Sequence, residues 1–200
     1  MVQVGERTNN SKSAFVTNGA SNHSATEREV NDFYATDPKA LELLLDMEEF
    51  DPYVWECACG EGHLSEVLKK RGYIVKSTDL IDRGYGEGGV DFLKTNEIHN
   101  GDIITNPPYK CGQQFVEHAL ELIPEGNRAA MFLKLTFLES QNRRELFKRY
   151  PPEYIYVSSS RLYCALGGDF ESFKNSSAVA YGWFIWRKGF TGEPRVRWFN

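Results

Sequence analysis

The sequence predicts a single α/β domain with a mostly parallel sheet. Apolar runs of strand length alternate with amphipathic helical stretches along most of the 200 residues. The first core strand is followed by Cys59-Gly60-Glu61-Gly62, a turn that lets the backbone approach a ligand closely. A later apolar strand, 102–105, is followed by Asn106-Pro107-Pro108-Tyr109. Because open α/β sheets bind ligands outside the carboxyl ends of their strands, both runs stand where a site is expected.

The composition supports a compact fold and limits the possible functions. Hydrophobic residues make up 41% of the chain and aromatic residues 14%. No apolar stretch approaches the roughly 20 residues that span a bilayer, and the polar N-terminus lacks a signal pattern, so we expect a soluble intracellular protein. The net charge of −5 argues against tight non-specific binding to nucleic acid. Local basic clusters, each explained more simply as solvated surface, are Lys69-Lys70-Arg71, Arg143-Arg144, Lys148-Arg149, Arg195 and Arg197.

The four cysteines do not predict a metal site. Cys57, Cys59, Cys111 and Cys164 form no paired C-x-x-C pattern. Cys57 and Cys59 with His63 are conceivable zinc ligands, but small buried residues at a strand end fit the context better. A disulfide framework is not expected in this size and compartment.

The N-terminal third combines an arm, a capped helix and the first strand. Residues 1–30 are rich in Asn, Ser, Thr and charge, which predicts a disordered arm before a domain over 31–200. Thr36 or Asp37 caps a helix that has Pro38 in its first turn. The first core strand is then expected over 53–58, and the next helix begins near His63 and ends at Gly72.

A second strand, 73–79, ends in an acidic side chain. Asp79 in this position can accept hydrogen bonds from both hydroxyls of a ribose, as in dinucleotide-binding folds, while a structural cap is the alternative. Position 65 is Ser, where a nicotinamide-dependent dehydrogenase would carry its third glycine. The glycine pattern is therefore incomplete for that class. Residues 82–89 are expected to form a flexible loop.

The remaining elements continue the alternation. A helix with Phe115, Val116, Ala119, Leu120 and Ile123 facing inwards ends at Pro124. Strands are expected over 129–135, 153–158 and 178–186, and a basic helix over 141–149. Residues 159–177 are polar and irregular, as functional loops often are. Sequence does not decide the conformation of the tail, 189–200.

The run at Asn106 suits the activation of a planar amine. Each proline fixes its own φ and holds the preceding residue extended, so Asn106 has little backbone freedom. The Asn106 side-chain oxygen and the Pro107 carbonyl can each accept one N–H of an exocyclic amine, which draws this poorly nucleophilic nitrogen towards tetrahedral geometry. Tyr109 can stack on the ring that carries the amine.

These residues carry a family resemblance. Together with Trp55-Glu56-Cys57-Ala58-Cys59-Gly60-Glu61-Gly62, the Asn-Pro-Pro-Tyr run resembles the amino-methylating branch of the S-adenosylmethionine-dependent methyltransferases, and especially small phage-type DNA adenine-N6 methyltransferases. The likeness covers about 31–188. It implies a Rossmann-like class I fold with seven strands, the last one antiparallel. It also implies S-adenosylmethionine as cofactor, DNA or else RNA as partner, and a cytoplasmic, bacterial or phage-encoded protein.

The resemblance also implies roles for individual residues. Asn106, Pro107, Pro108 and Tyr109 would form the catalytic loop, with Tyr109 and Phe137 contacting the base. The residues expected to bind the cofactor are Phe33, Tyr34, Thr36, Pro38, Glu56, Ala58, Gly60, Gly62, Asp79, Asp91 and Phe92. Glu56 would meet the cationic methionine portion, because an acid that ends an apolar strand needs a partner. The alternative for residues 33–38 is a hydrophobic staple and helix cap, and Asp37 interrupts the family pattern there. The alternative for Asp91 is a role in a turn, and the alternative for Phe137 is core packing.

Other substrates and classes are open at this stage. The same run resembles enzymes that methylate RNA bases, cytosine N4 or a glutamine amide in protein, although cytosine enzymes more often carry Ser where Asn106 stands. Cytosine-C5 chemistry is disfavoured because no Pro-Cys pair occurs. A non-catalytic nucleic-acid-binding module is the alternative from another class. The chain leaves no room for a separate recognition domain of ordinary size, so we expect a short or relaxed recognition site read by 159–177.

Overall fold

A computed structural model describes residues 34–160, 162, 164–166 and 179–199. The strands in this part are β1 Tyr34–Thr36, β2 Tyr53–Glu56, β3 Ile74–Ser77, β4 Asp102–Thr105, β5 Arg128–Lys134, β6 Tyr154–Ser158, β7 Cys164–Leu166, β8 Tyr181–Arg187 and β9 Arg195–Phe199. The helices are α1 Pro38–Leu45, α2 His63–Lys70, α3 Gly112–Leu122 and α4 Arg144–Arg149. The predicted arm, 1–30, lies outside the described residues, as does most of 159–177.

The main sheet has seven strands in the order β3-β2-β4-β5-β8-β6-β9. Every strand runs in the same direction except β8, which is antiparallel to both of its neighbours, β5 and β6. The predicted mostly parallel, seven-stranded sheet is confirmed. The strand that the sequence predicts last, over 178–186, is β8, and it is antiparallel as expected. The last strand is β9, formed by the undecided tail, which pairs in parallel with the open edge of β6.

The strand order reverses direction at β2. The chain passes from β2 through α2 to β3 on one side, and later returns to β4 on the other side of β2. Loops that leave such a point diverge, and the crevice between them is the usual ligand site of an open α/β sheet. The loops after Glu56 and after Thr105 border this crevice.

Apolar side chains alternate between the two faces of the sheet. Val54 and Ile104 point to the face covered by α1 and α2, where Leu41 and Leu68 pack on them. The other face carries Trp55, Ile103, Met131 and Phe184 and is covered by α3 and α4. Among the described residues, none of the helices combines the length and the apolar character that a membrane span requires.

A second, two-stranded sheet joins residues far apart in sequence. β1 pairs antiparallel with β7, so that Tyr34 lies opposite Leu166 and Thr36 opposite Cys164. β1 also contacts α2, the helix that follows the glycine turn. The expected capped helix is confirmed as α1, because the Asp37 carboxylate accepts the Lys39 N–H at 3.0 Å. This small sheet therefore lies against α2.

Candidate active site

The predicted site residues of the first three core strands lie at one edge of the sheet. Glu56 is the last residue of β2, while Asp79 follows β3 and Asn106 follows β4. Trp55, one residue before Glu56, is paired in parallel register with Lys76 on one side and Ile103 on the other. The carboxyl ends of the three strands are therefore level, as the sequence predicts.

Asp79 holds the glycine turn in place. Its carboxylate accepts the Gly60 N–H at 2.8 Å through one oxygen and the Ile81 N–H at 2.9 Å through the other. Gly60 itself has a φ of 55°, which favours glycine. These bonds are those of a structural cap. They also leave the acid beside the turn, where its predicted contact with a ribose remains a prediction.

The aromatic side chain of Tyr85 covers Gly62, which sequence reasoning missed. Gly62 has a φ of 86°, and a Cβ built on it would lie 2.5 Å from the Tyr85 ring. The Tyr85 hydroxyl donates to Glu66 at 2.7 Å and accepts from Lys69 at 2.7 Å, so the ring is tied to α2. Part of the expected flexible loop, 82–89, is thus held against the glycine turn. An aromatic residue within this glycine-rich stretch is the signal that could have indicated it.

Glu56 is a buried carboxyl group with hydroxyl partners. Only 2% of the residue is exposed, and its carboxylate accepts the Ser65 hydroxyl, which also lies 2.6 Å from the Ser77 hydroxyl. Burial raises the pKa of Glu56 from 4.5 to about 8, the Ser65 hydrogen bond opposing this shift. In the described part of the chain no basic side chain lies within 4.0 Å of it. A cationic ligand group would supply the missing charge.

Thr36 adds a buried polar atom on the neighbouring segment. Its side chain is buried, and its hydroxyl has no hydrogen-bond partner in the described part of the chain. Pro38 begins α1, and the backbone of Tyr34 begins β1, whereas Phe33 lies outside the described residues. A buried hydroxyl without a partner in the described chain fits a ligand that brings a polar group.

Asp91 and Phe92 are engaged in local structure. The Asp91 carboxylate accepts the Leu93 N–H at 3.1 Å and lies 2.8 Å from the Lys94 ammonium group, whose hydrogen bond lowers the pKa of Asp91. The Phe92 ring is buried and lies 5.3 Å from that of Trp55 and 4.9 Å from that of Phe115. The turn alternative accounts for the Asp91 contacts. Contact of the pair with adenine stays a prediction.

The loop after β4 presents the predicted catalytic residues. Pro107 is buried, and Tyr109 begins a 3₁₀ turn, Tyr109–Cys111. The Pro108 carbonyl accepts the Cys111 N–H at 2.9 Å, whereas within the described chain no backbone N–H donates to the Pro107 carbonyl. The Pro107 carbonyl is thus without a backbone donor in the described chain, and its contact with an amine N–H stays a prediction.

The Tyr109 ring is held by residues of the neighbouring strands. The ring centre of Tyr181 lies 5.8 Å from that of Tyr109 and 5.5 Å from that of Phe132, on which Tyr181 stacks. The Lys134 ammonium nitrogen lies 4.7 Å from the centre of the Tyr109 ring, a cation–π contact. Lys134 and Tyr181 were not among the predicted site residues, because they come from β5 and β8 and no local pattern links them to Tyr109.

Phe137 lies in the core rather than on an open wall. The residue is 6% exposed, and its ring centre lies 5.8 Å from that of Phe184 and 5.9 Å from that of Phe147. The Arg143 guanidinium covers it at 4.4 Å. Core packing, the alternative open at the sequence level, accounts for these contacts.

The cysteines near the site are unsuited to nucleophilic attack. Cys57 and Cys59 are both buried, and burial raises the pKa of the Cys59 thiol to about 12 and that of Cys57 well above its usual value. The carboxylates of Glu56 and Asp79 add to both shifts. Among the described residues no three His, Cys, Asp or Glu side chains form a possible metal site.

Comparison with known proteins supports the fold class. No protein-family model matches the sequence, and no curated protein does. A proposed class I S-adenosylmethionine-dependent methyltransferase from Listeria monocytogenes is similar in structure, with a TM-score of 0.55 and 13% identity; the match covers 80% of this chain and 62% of that one. A proposed RNA methyltransferase from Pyrococcus horikoshii is also similar, with a TM-score of 0.53 and 14% identity. That match covers 75% of this chain and 80% of the other.

A third similar structure belongs to a nucleic-acid enzyme. It is that of the type IIG restriction endonuclease BpuSI, with a TM-score of 0.51 and 14% identity over 70% of this chain and 23% of that one. The chain thus spans less than two thirds of the Listeria protein and about a quarter of BpuSI. The fold is the Rossmann-like fold of class I S-adenosylmethionine-dependent methyltransferases.

Proposed function

We propose that this protein transfers the methyl group of S-adenosylmethionine to the exocyclic N6 amine of adenine in DNA. The observation that carries the proposal is the rigid Asn-Pro-Pro-Tyr loop across the crevice from the glycine turn, with the Pro107 carbonyl open to a donor. The similar structures include proteins described as a methyltransferase of RNA and a restriction endonuclease, which supports a nucleic-acid substrate.

The residues of the crevice fit the cofactor. Glu56 is an acid whose pKa is raised by burial, and the cofactor's amino group is a cation that would give it a charged partner. The Thr36 hydroxyl offers a further polar contact, and Gly60 and Asp79 stand where a ribose would lie. When bound, S-adenosylmethionine supplies an electrophilic methyl group on a positively charged sulfur.

The loop after β4 would prepare the acceptor. Asn106 and Pro107 accept the two N–H groups of the adenine amine, and Tyr109 stacks on the base. With the cofactor bound, the nitrogen lone pair held by Asn106 and Pro107 would take the methyl group as the C–S bond breaks, and S-adenosylhomocysteine would be left. The methylated nitrogen loses one proton to solvent. The raised pKa values of Cys57 and Cys59 agree with a transfer that needs no covalent enzyme intermediate.

The test is methylation in parallel of three substrates. Pure protein is incubated with S-adenosylmethionine and unmethylated DNA, RNA or a protein extract, and the digests are analysed by mass spectrometry. We expect N6-methyladenine in DNA, and a loss of about 10²–10³-fold in kcat for Asn106→Ala, the scale seen when one preorganised polar contact to the reacting group is removed.

The other outcomes separate the alternatives. Product found only in RNA, at cytosine N4 or on glutamine would retain the amine chemistry and refute the DNA adenine substrate. Calorimetry with S-adenosylmethionine tests the remaining class. A protein that does not bind the cofactor and yields no product would be a nucleic-acid-binding module that retains the fold.

A further inference from the structure

Lys134 carries a charge that the described residues do not neutralise. It is the last residue of β5, and no carboxylate oxygen of the described part of the chain lies within 4.0 Å of its nitrogen. Lys69, Lys76 and Lys94 differ, since each lies within that distance of a carboxylate. The Lys134 ammonium lies over the face of the Tyr109 ring, 4.7 Å from the ring centre.

A ring is a weaker partner for an ammonium group than an anion. A cation–π contact is weaker than a hydrogen bond between two charged groups, which is also shorter. Lys134 is partly withdrawn from water, so the site favours a ligand that brings negative charge to this position. The charge is therefore placed for an anion that arrives with the substrate.

The candidate substrates differ in whether they carry negative charge near the amine that is methylated. A base stacked on Tyr109 belongs to a nucleotide, whose phosphodiester groups lie within a few bonds of the base. A glutamine amide of a protein brings no such charge. The position of Lys134 therefore distinguishes the two carriers of a planar amine that the Asn-Pro-Pro-Tyr run leaves open.

We propose that Lys134 binds a backbone phosphate of the target nucleotide and so selects nucleic acid over a protein amide. The inference rests on the proposed function, because it places the target base on Tyr109. Lys134 contributes to substrate binding, whereas Asn106 and Pro107 act on the amine. The Tyr109 ring that Lys134 covers is in turn packed against the Tyr181 ring.

The experiment compares Lys134→Met and Lys134→Arg with Lys70→Met. Lys70 is an exposed residue that ends α2 at the opposite edge of the sheet, so Lys70→Met removes the same charge away from the site. Binding of a fluorescent, adenine-containing duplex is measured by anisotropy between about 50 and 200 mM salt. Methylation of the same duplex gives KM and kcat. Thermal unfolding checks that every variant is folded.

If Lys134 binds one phosphate, its loss should change duplex binding, KM and the salt dependence of binding by predictable amounts. Lys134→Met should weaken duplex binding and raise KM about 10-fold, change kcat less than about 2-fold and reduce the salt slope by about 0.9. Lys134→Arg should keep most of the binding and the slope, because guanidinium also binds phosphate. Lys70→Met should resemble the unmodified protein.

Three results would overturn the proposal in distinguishable ways. Equal salt slopes for Lys134→Met and Lys70→Met would refute the phosphate contact while leaving the methyltransferase activity intact. A fall in kcat with KM unchanged would assign Lys134 to the orientation of Tyr109 instead. Methylation of a protein amide by the unmodified protein, with no effect of Lys134→Met on duplex binding, would refute this inference and the proposed function together.

Discussion

The main sheet buries charged groups both at the edge formed by the amino ends of its strands and at the edge formed by their carboxyl ends. Only the amino-terminal edge neutralises these groups with the protein's own charges. At the amino-terminal edge, the Asp102 carboxylate accepts the Asp51 N–H at 2.8 Å and the Arg128 N–H at 2.7 Å. The Arg128 guanidinium lies 2.9 Å from the Glu48 carboxylate, and it also donates to the Glu49 carbonyl. Every charge in this cluster has a charged or strongly polar partner.

The carboxyl-terminal edge is the opposite case. Glu56 has hydroxyl partners, Thr36 has an unpaired hydroxyl in the described chain, and the Lys134 ammonium faces an aromatic ring. Leaving buried polar groups in this condition costs stability. The amino-terminal edge thus contributes its charges to the fold, and the unneutralised groups of the carboxyl-terminal edge agree with the proposal that this edge binds charged ligands.

Breaking the cluster of Asp102, Arg128 and Glu48 at the amino-terminal edge should have the largest effect on stability. Arg128→Met removes the cation beside the buried Asp102 carboxylate and leaves Glu48 with Arg197, 3.5 Å away, which should reduce the free energy of unfolding by about 3–5 kcal/mol. Denaturant unfolding measures the loss. Arg144→Met, which removes an exposed cation of α4, is the matched control and should stay within about 0.5 kcal/mol of the unmodified protein. A loss below about 1 kcal/mol for Arg128→Met would contradict the closed network.

Replacing Glu56 by a neutral residue should raise the free energy of unfolding, whereas Arg128→Met lowers it. Its folded-state pKa of about 8 exceeds 4.5, so the unfolded chain releases a proton that the folded chain keeps, and this group's contribution to stability is lost between pH 4.5 and 8. Glu56→Gln should therefore be more stable than the unmodified protein at pH 8, by about 2–4 kcal/mol, and the difference should shrink towards pH 4.5.

Denaturant unfolding at pH 5 and pH 8 tests this dependence. A difference that does not vary with pH would show that the folded protein does not hold Glu56 protonated. Calorimetry on the same variant sharpens the comparison between the edges. If Glu56 meets the cofactor's cation, Glu56→Gln should bind S-adenosylmethionine more weakly although the protein is more stable.

The smallest effect is expected from the unpaired hydroxyl of Thr36. Thr36→Val keeps the shape of the side chain and removes a buried polar group without a partner, so stability should be unchanged or higher by up to about 1 kcal/mol. Cofactor affinity measured by calorimetry should fall, because the hydroxyl is the atom available to a ligand. A marked loss of stability would instead reveal a partner for this hydroxyl in the folded protein.

Local patterns were sufficient for much of the fold and for the outline of the site. The alternation of apolar strands and amphipathic helices predicted the mostly parallel sheet. Side chains that follow parallel strands must meet at one edge, so Glu56, Asp79 and Asn106 could be assigned to one region before any coordinates. The glycines at 60 and 62 were predicted to form the turn because positive φ angles favour that residue.

Long-range packing decided what the local patterns could not. The tail became β9 because β6 offered an open edge, and β1 found its partner in β7, about 130 positions away in the chain. Whether an aromatic ring lines a pocket or the core also depends on its neighbours, and Phe137 proved to be packed.

The sequence by itself determined the class of fold, the alternation of its main strands and helices and the edge at which the candidate site is expected, since these follow from periodicity, turn residues and strand direction. Only the tertiary structure decided the electrostatic state of that edge. The burial that raises the pKa of Glu56, the Tyr85 ring over Gly62 and the Lys134 ammonium over Tyr109 arise from residues on different strands and loops. Their distances and exposure to water are set when the chain packs, and no local pattern encodes them.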